Sequence, residues 1–273
     1  MTVSDSQGRG QNPAYNLLER VNTPLTFRVN KPTLRISMPI KTHDIFADVV
    51  STFRNDCNAY VAKLMDAQNS GSLPVAIGPA LRDFPGQWRQ KFPEVLADRG
   101  NKPLIVEIGC HTGHTLCDMA ESNPDALFAG VDITFKRVVE TAERAKSRGI
   151  KNIFVVLANA HGIDDLFQDG EVTGFVTFFP DPWKKKKHAH NRLYSPEFCE
   201  TIYKKLMPGG FLWLKTDQEP YFDNACATTV AAGFQETAQV PVFGDQDFSS
   251  FFMRRFELQG LPWFGRKWMK LQA

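Results

Sequence analysis

Three polar residues stand where short apolar runs end. Glu107 lies in Val106-Glu107-Ile108-Gly109-Cys110-His111-Thr112-Gly113, Asp132 closes Gly130-Val131-Asp132, and Asn159 lies in Ala158-Asn159-Ala160. If the runs are strands followed by helices, these turns gather at the carboxyl edge of a parallel sheet, where nucleotide-like ligands bind. Glycines such as Gly109 and Gly113 let a ligand approach the backbone there. A carboxylate roughly 20 residues further along hydrogen-bonds a ribose diol in such folds, and Asp132 takes that place. Asn159 offers a polar contact to an adenine amine, and Ala160 leaves room for the ring. Each feature has a plainer reading. Gly-x-x-x-Gly is also a tight strand-helix turn, Asp132 is also a helix cap, and Asn is a common turn residue. Three such residues at three successive strand ends point instead to a nucleoside-containing cofactor. The diphosphate of a dinucleotide calls for Gly-x-Gly-x-x-Gly, and His111 occupies the middle glycine position. S-adenosylmethionine has no phosphate and carries a sulfonium cation, so a carboxylate-lined site suits it better.

A second constellation follows the fourth apolar run, Phe178-Phe179-Pro180-Asp181-Pro182-Trp183, and continues through Lys184, Lys185, Lys186 and Lys187 to His188 and Arg192. Two prolines restrict the backbone around Asp181. A charge run is often only a solvated face. Leaving the catalytic edge of a sheet with Trp183 at its base, this one has the cations and the aromatic surface that hold a nucleic-acid backbone while a ring approaches a reacting group.

The elements that must position these residues are legible as short apolar runs alternating with amphipathic segments after Pro103, the pattern of strand-helix units. Strands are predicted at 104–108, 127–131, 153–157, 174–179 and 211–216, with helices at 113–121, 135–147 and 196–206. Pro208-Gly209-Gly210 stands as a helix stop and turn. A helix over 221–232 and two antiparallel strands near 234–240 and 266–271 complete the sheet. Upstream, Ile45, Val49, Phe53, Tyr60 and Leu64 recur at helical spacing from Thr42 onward. Residues 71–79 are expected to form a loop, and a short element surrounds Trp88 and Phe92. The expected organisation is a mobile tail over 1–32, a helical extension over 33–102 and a catalytic domain over 103–273.

Composition sets outer bounds. With 42% hydrophobic and 23% charged residues the chain matches an ordinary globular protein, and a net charge of +2 requires any nucleic acid to meet a local basic patch. The cysteines number 5, are scattered and form no Cys-x-x-Cys pair, which argues against a disulfide framework or a zinc site. A metal-free, cytoplasmic protein is expected, with neither a secretory leader nor a membrane span.

The motifs together resemble a known family. Glu107-Ile108-Gly109 with Gly113, Phe179-Pro180-Asp181-Pro182-Trp183, and then Lys185, His188 and Arg192 are similar to the bacterial tRNA (guanine-N7-)-methyltransferases. The hallmark of that family is a Phe-Pro-Asp-Pro-Trp segment followed by a basic run with a His. The similarity extends through Leu206-Met207-Pro208-Gly209-Gly210 and Thr216-Asp217 and covers residues 85–273.

The resemblance implies an α/β fold, the Rossmann-like, doubly wound, mostly parallel seven-stranded sheet of class I methyltransferases, with an N-terminal helical extension. It implies S-adenosyl-L-methionine as cofactor and tRNA as partner, in a monomer or homodimer. Glu107, Asp132, Asn159 and Asp181 match cofactor-site positions, joined by Gly109, Gly113 and Ala160. Lys185 and Asp217 match substrate-binding positions, and His188, Arg192 and Ser250 join them. The chain departs from the family pattern at His111, where Gly is usual, at Asn159, where Asp is common, and at Lys187 and Asn191, where arginines stand. Ser250-Phe251-Phe252-Met253 is the nearest match to a Thr-x-Phe-Glu segment that meets the substrate. Guanine N7 is a bare lone pair, so methyl transfer to it needs alignment and charge control rather than a base, and Asp181 is assigned to that centre. Two other readings stay open: a methyltransferase of a small molecule or protein whose lysine run is a solvated lid, and a catalytically silent RNA-binding relative.

Overall fold

In the computed structural model, which describes residues 45–46, 59–93, 98–183 and 192–271, the alternation after Pro103 folds as a strand-helix series. The elements are α1 (Ala59–Ser70), β1 (Val75–Ile77), α2 (Trp88–Lys91), β2 (Leu104–Ile108), α3 (His114–Ser122), β3 (Leu127–Asp132), α4 (Phe135–Ser147), β4 (Ile153–Leu157) and α5 (Ile163–Leu166). They continue as β5 (Val172–Phe178), α6 (Pro196–Lys205), β6 (Leu206–Thr216), α7 (Glu219–Ala231), β7 (Gln235–Thr237), α8 (Phe251–Leu258) and β8 (Phe264–Met269). The strands lie in the order β1-β4-β3-β2-β5-β6-β8-β7. Among the described strands, only the pairings of β8, with β6 and with β7, are antiparallel. The chain order reverses at β2, between β3 and β5, and the carboxyl edge at such a switch point is where doubly wound sheets bind ligands.

Side chains alternate across the sheet. In β2, Leu104, Val106 and Ile108 join the core layer that holds Trp88, Phe167, Phe198 and Trp268. Ile105 faces the other layer, with Leu116, Val138, Val139 and Phe243, and Glu107 shares its parity. Strands covered on both faces need apolar residues at nearly every position, which is why these runs read as continuous rather than alternating. In α4 the buried residues Val138, Ala142 and Ala145 form a stripe at helical spacing. Helix α6 starts where Ser195 Oγ accepts from Phe198 N with Pro196 in the first turn, and it ends on Lys204 and Lys205, each favourable at its own end of the helix dipole.

The structure corrects several expectations. Among the described residues the sheet has eight strands rather than the expected seven, because Val75–Ile77, expected within a loop, forms β1. Three residues are too few to show a period. Their conformation is set by pairing with β4, Val75 opposite Val155, and by Gln68 Oε1, which accepts from Ile77 N at 2.7 Å. Pro208-Gly209-Gly210 is not a free turn but part of the entry to β6, with a register shift against β5 between Val172 and Gly174. A Cβ on Gly174 would lie 2.2 Å from the Phe211 ring, so the bulge and the glycine accommodate that ring. Of the helix expected from Thr42, positions 42–44 and 47–58 lie outside the described residues, and α1 presents Val61, Leu64 and Ala67 inward. The short element at Trp88 is a plug: its indole stacks on Phe167 at 4.8 Å, and Nε1 donates to Leu166 O at 2.8 Å. Among the described residues, no helix is long and apolar enough to cross a membrane.

Candidate active site

Glu107 and Asp132 are both buried, at 3% and 4% exposure, on adjoining strands. Glu107 pairs with Gly130 across the ladder, which puts Asp132 two residues further toward the carboxyl edge. Asp132 is held by the backbone: Oδ2 accepts from His111 N at 3.1 Å and Oδ1 from Thr134 N at 2.9 Å. It therefore pins the loop after β2 to the start of α4. The helix cap expected at Asp132 does not form: the N-cap of α4 is Thr134, which makes no side-chain capping bond, and Asp132 binds the Thr134 amide just outside the helix, each carboxylate oxygen keeping a further lone pair. Burial raises its pKa, against the lowering effect of those backbone bonds and of Arg137.

Glu107 is the anomaly. Its Oε2 is buried and has no hydrogen-bond partner among the described residues. Burial first, then the Asp132 and Asp118 carboxylates, push its pKa up to about 8. An unpaired buried carboxylate is costly unless a ligand supplies a donor or a positive charge. A ligand with an ammonium or sulfonium group fits that need.

The loop between them is shaped for close approach. Gly109 has φ 78°, and a Cβ there would meet nothing within 4 Å, so the space beside it is open. Gly113 has φ 72°, and a Cβ there would lie 2.4 Å from Thr141 Cγ2. Thr141 Oγ1 donates to His111 O at 3.0 Å, and Arg144 Nε donates to Thr112 O at 2.8 Å, so α4 fixes the loop from behind. His111 itself has φ 51°. That left-handed conformation is the one glycine adopts freely and other residues rarely do. Burial and then Arg137 lower the pKa of His111 below its usual 6.5.

The remaining expected residues spread along the same edge. Asn159 follows β4, and its Oδ1 accepts from His161 N at 3.0 Å as the cap of a single 3-10 turn, Ala160–Gly162. Asp181 is exposed just beyond β5, after Phe179 at φ 54° and before Trp183 at φ 40°. Two non-glycine residues in the left-handed region within five positions mark a backbone held against its preference, a feature that concentrates at functional sites. Arg192 closes this turn from the far side, donating to Pro182 O at 3.2 Å and to Trp183 O at 3.4 Å. Lys185 and His188, with the rest of 184–191, lie outside the described residues. Asp217 follows β6 and accepts from the Gln218 amide. Ser250 is 5% exposed and caps α8, its Oγ accepting from Met253 N at 3.1 Å.

Other residues at this edge had no signal in the sequence. Ile133, directly after Asp132, is 56% exposed and offers an apolar surface beside that carboxylate in sequence. Lys215, read only as part of an apolar run, is 1% exposed inside a cage formed by Phe178, Trp213 and Trp263, each 5.0–5.2 Å from its Nζ. It donates to Asp247, to Phe248 O at 2.9 Å and toward Met253 Sδ at 3.5 Å, tying the start of α8 to the sheet. Burial lowers its pKa against the opposing effect of Asp247. A lysine inside a strand pattern carries no mark that distinguishes a caged cation from a solvated one.

The tRNA (guanine-N(7)-)-methyltransferase of Pasteurella multocida is 36% identical over 149 residues, 54% of this chain and 58% of that protein. That of Saccharophagus degradans is 37% identical over 146 residues, covering 53% and 64%. That of Marinobacter nauticus is 39% identical over 138 residues, covering 50% and 58%. The chain thus spans about six-tenths of the length of these curated relatives. Residues 101–252, which contain Glu107, Asp132, Asn159, Asp181, Asp217 and Ser250, match the family model described as "Putative methyltransferase", and the chain belongs to that methyltransferase family.

Proposed function

We propose that this protein transfers a methyl group from S-adenosylmethionine to N7 of a guanine in tRNA. The observation that carries the reading is the unpartnered, buried carboxylate oxygen of Glu107 beside Asp132, at the switch point of a sheet belonging to a methyltransferase family. The names of the relatives, together with the Phe179-Pro180-Asp181-Pro182-Trp183 turn and its basic continuation, support guanine N7 of tRNA as the acceptor.

S-adenosylmethionine, when bound, supplies an electrophilic methyl group on a positively charged sulfur. In this reading Glu107 meets the cationic part of the cofactor, and Asp132 uses its spare lone pairs for the ribose hydroxyls. Gly109 keeps the loop clear while Gly113 lets Thr141 of α4 pack behind it, Ile133 packs against the ring, and Asn159 with Ala160 flanks the adenine. The acceptor nitrogen brings its own lone pair, so no residue has to remove a proton before attack. The work left to the protein is alignment and control of the charge that develops on the purine. Asp181, exposed on its strained turn, accepts hydrogen bonds from the guanine and steadies the purinium that forms. Lys185, His188 and Arg192 hold RNA phosphates, and Asp217 and Ser250 complete the substrate side. Arg192 contributes as well by closing the turn that presents Asp181.

The test is incubation of the protein with labelled cofactor and bulk tRNA, followed by nucleoside analysis. Label in 7-methylguanosine is expected. Label in another nucleoside changes the acceptor. Cofactor bound without transfer to RNA overturns the tRNA reading.

A further inference from the structure

Helix α8 reaches both halves of the site through one aromatic ring. Phe252 stands edge-on to His111, with ring centroids 5.5 Å apart and planes at 75°, and leans on Phe179 at 6.2 Å. Phe256, one turn on, stacks on the same Phe179 at 5.5 Å. His111 lies in the glycine loop after β2 and Phe179 at the head of the Asp181 turn after β5. Both hold left-handed φ values, 51° and 54°, that their neighbours must maintain. The helix carrying Phe252 is itself fixed. Ser250 caps it, Lys215 ties its approach to β6, and Arg254 reaches Asp118 on α3 at 3.3 Å.

We propose that Phe252 is a positioning residue, whose ring locks the His111 loop against the Phe179 turn so that the cofactor and substrate halves close into one centre. The inference rests on the methyltransferase reading above and deepens it. An edge-to-face pair is directional, so the contact orients the two loops as well as filling space. It depends on the imidazole, because a glycine at position 111 would give Phe252 no ring to meet. Neither residue contacts a reacting atom in this proposal. Their effect passes through the distance between the two loops, and misplacement by about 1 Å costs on the order of a hundredfold in rate.

The test is a double-mutant cycle on Phe252→Leu and His111→Gly in the full chain, read by kcat and KM for tRNA, by calorimetric affinity for S-adenosylhomocysteine and by thermal midpoint. Leucine preserves apolar bulk, and glycine fits the φ at 111 without strain, so the second variant still reads the bridge should the first unfold. Each single variant is expected to lose about tenfold or more in kcat with less than about threefold change in affinity, and Phe252→Tyr to recover most of the rate. The double variant should lose no more than the worse single one. Additive losses, a kcat within twofold of wild type in Phe252→Leu, or losses carried wholly by affinity or by the thermal midpoint would overturn the bridge. A wild-type protein that binds cofactor but leaves tRNA unmethylated overturns the proposed acceptor instead; the bridge is then read by amide hydrogen exchange, which Phe252→Leu should speed in both the 109–113 loop and the 179–183 turn, and unchanged exchange in either one overturns it.

Discussion

Asp132 stands two residues past the ladder partner of Glu107 on the neighbouring strand, and its carboxylate is the largest electrostatic cause, after burial, of the raised pKa of Glu107. The two acids are unequal by construction. Asp132 has backbone donors on both oxygens, and Glu107 has an oxygen with none. The consequences for pH and for ligand binding can be measured.

The folded-state pKa of Glu107, about 8, lies above its ordinary value of 4.5, so the folded chain holds a proton that the unfolded chain has released between those limits. The contribution of Glu107 to the stability of the free protein is therefore full at low pH, falls as pH rises from about 4.5 and levels off above about 8. Glu107→Gln should remove that slope. At pH 9 the variant should be more stable than wild type by up to a few kcal/mol, as measured by urea unfolding. Identical slopes in the two proteins would show that Glu107 ionises freely.

Cofactor binding should show the same linkage from the other side. A cation placed beside Glu107 favours its ionised form, so binding near pH 7 should release a proton. Calorimetry in two buffers of different ionisation enthalpy should give a buffer-dependent heat, and affinity should rise with pH between 6 and 8. Glu107→Gln should lose both effects together with at least tenfold in affinity.

Asp132→Ala removes the acceptor for His111 N and Thr134 N. The protein should remain folded but lose about 1–3 kcal/mol of stability and bind cofactor more weakly. Asp181→Asn, on an exposed turn, should change stability by less than about 0.5 kcal/mol. Its expected defect is in turnover, with cofactor affinity close to normal. A near-normal rate would remove Asp181 from the centre.

Ser250→Ala removes the cap of α8 and should cost about 1 kcal/mol of stability. Because the Ser250 hydroxyl can still donate while it accepts from Met253 N, a substrate contact would add a rise in KM for tRNA beyond that cost. Ser250→Asn, a capping residue with its own donor, should restore stability and part of the KM. Full recovery of KM by a cap that cannot donate, Ser250→Asp, would leave Ser250 with the structural role alone.

If the lysines at 184–187 grip phosphate, RNA affinity should fall linearly with salt on logarithmic axes. Neutralising two of them should make the slope shallower by roughly 1 to 2, with cofactor affinity unmoved. Lys185→Ala should cost more activity than Lys186→Ala at the same salt, because only the former matches a directed contact. Equal losses would reduce the run to a diffuse field.

The sequence alone determined the strand-helix series, because strands covered on both faces must be apolar at nearly every position and the helices between them must carry a stripe. It also placed Glu107, Asp132, Asn159 and Asp181 at strand ends, since a polar residue closing an apolar run is visible without coordinates. Tertiary structure decided what depends on distant partners. Val75–Ile77 is a strand only because β4 offers it an edge. Lys215 is a buried tie only because three aromatic rings and Asp247 converge on it. The Ser250 hydroxyl is a helix cap because of where α8 begins, and Phe252 bridges two loops because the fold brings residues 111, 179 and 252 together. Local spacing encodes periodicity and turns, whereas the free energy of these contacts comes from groups far apart in the chain, whose meeting no local pattern records.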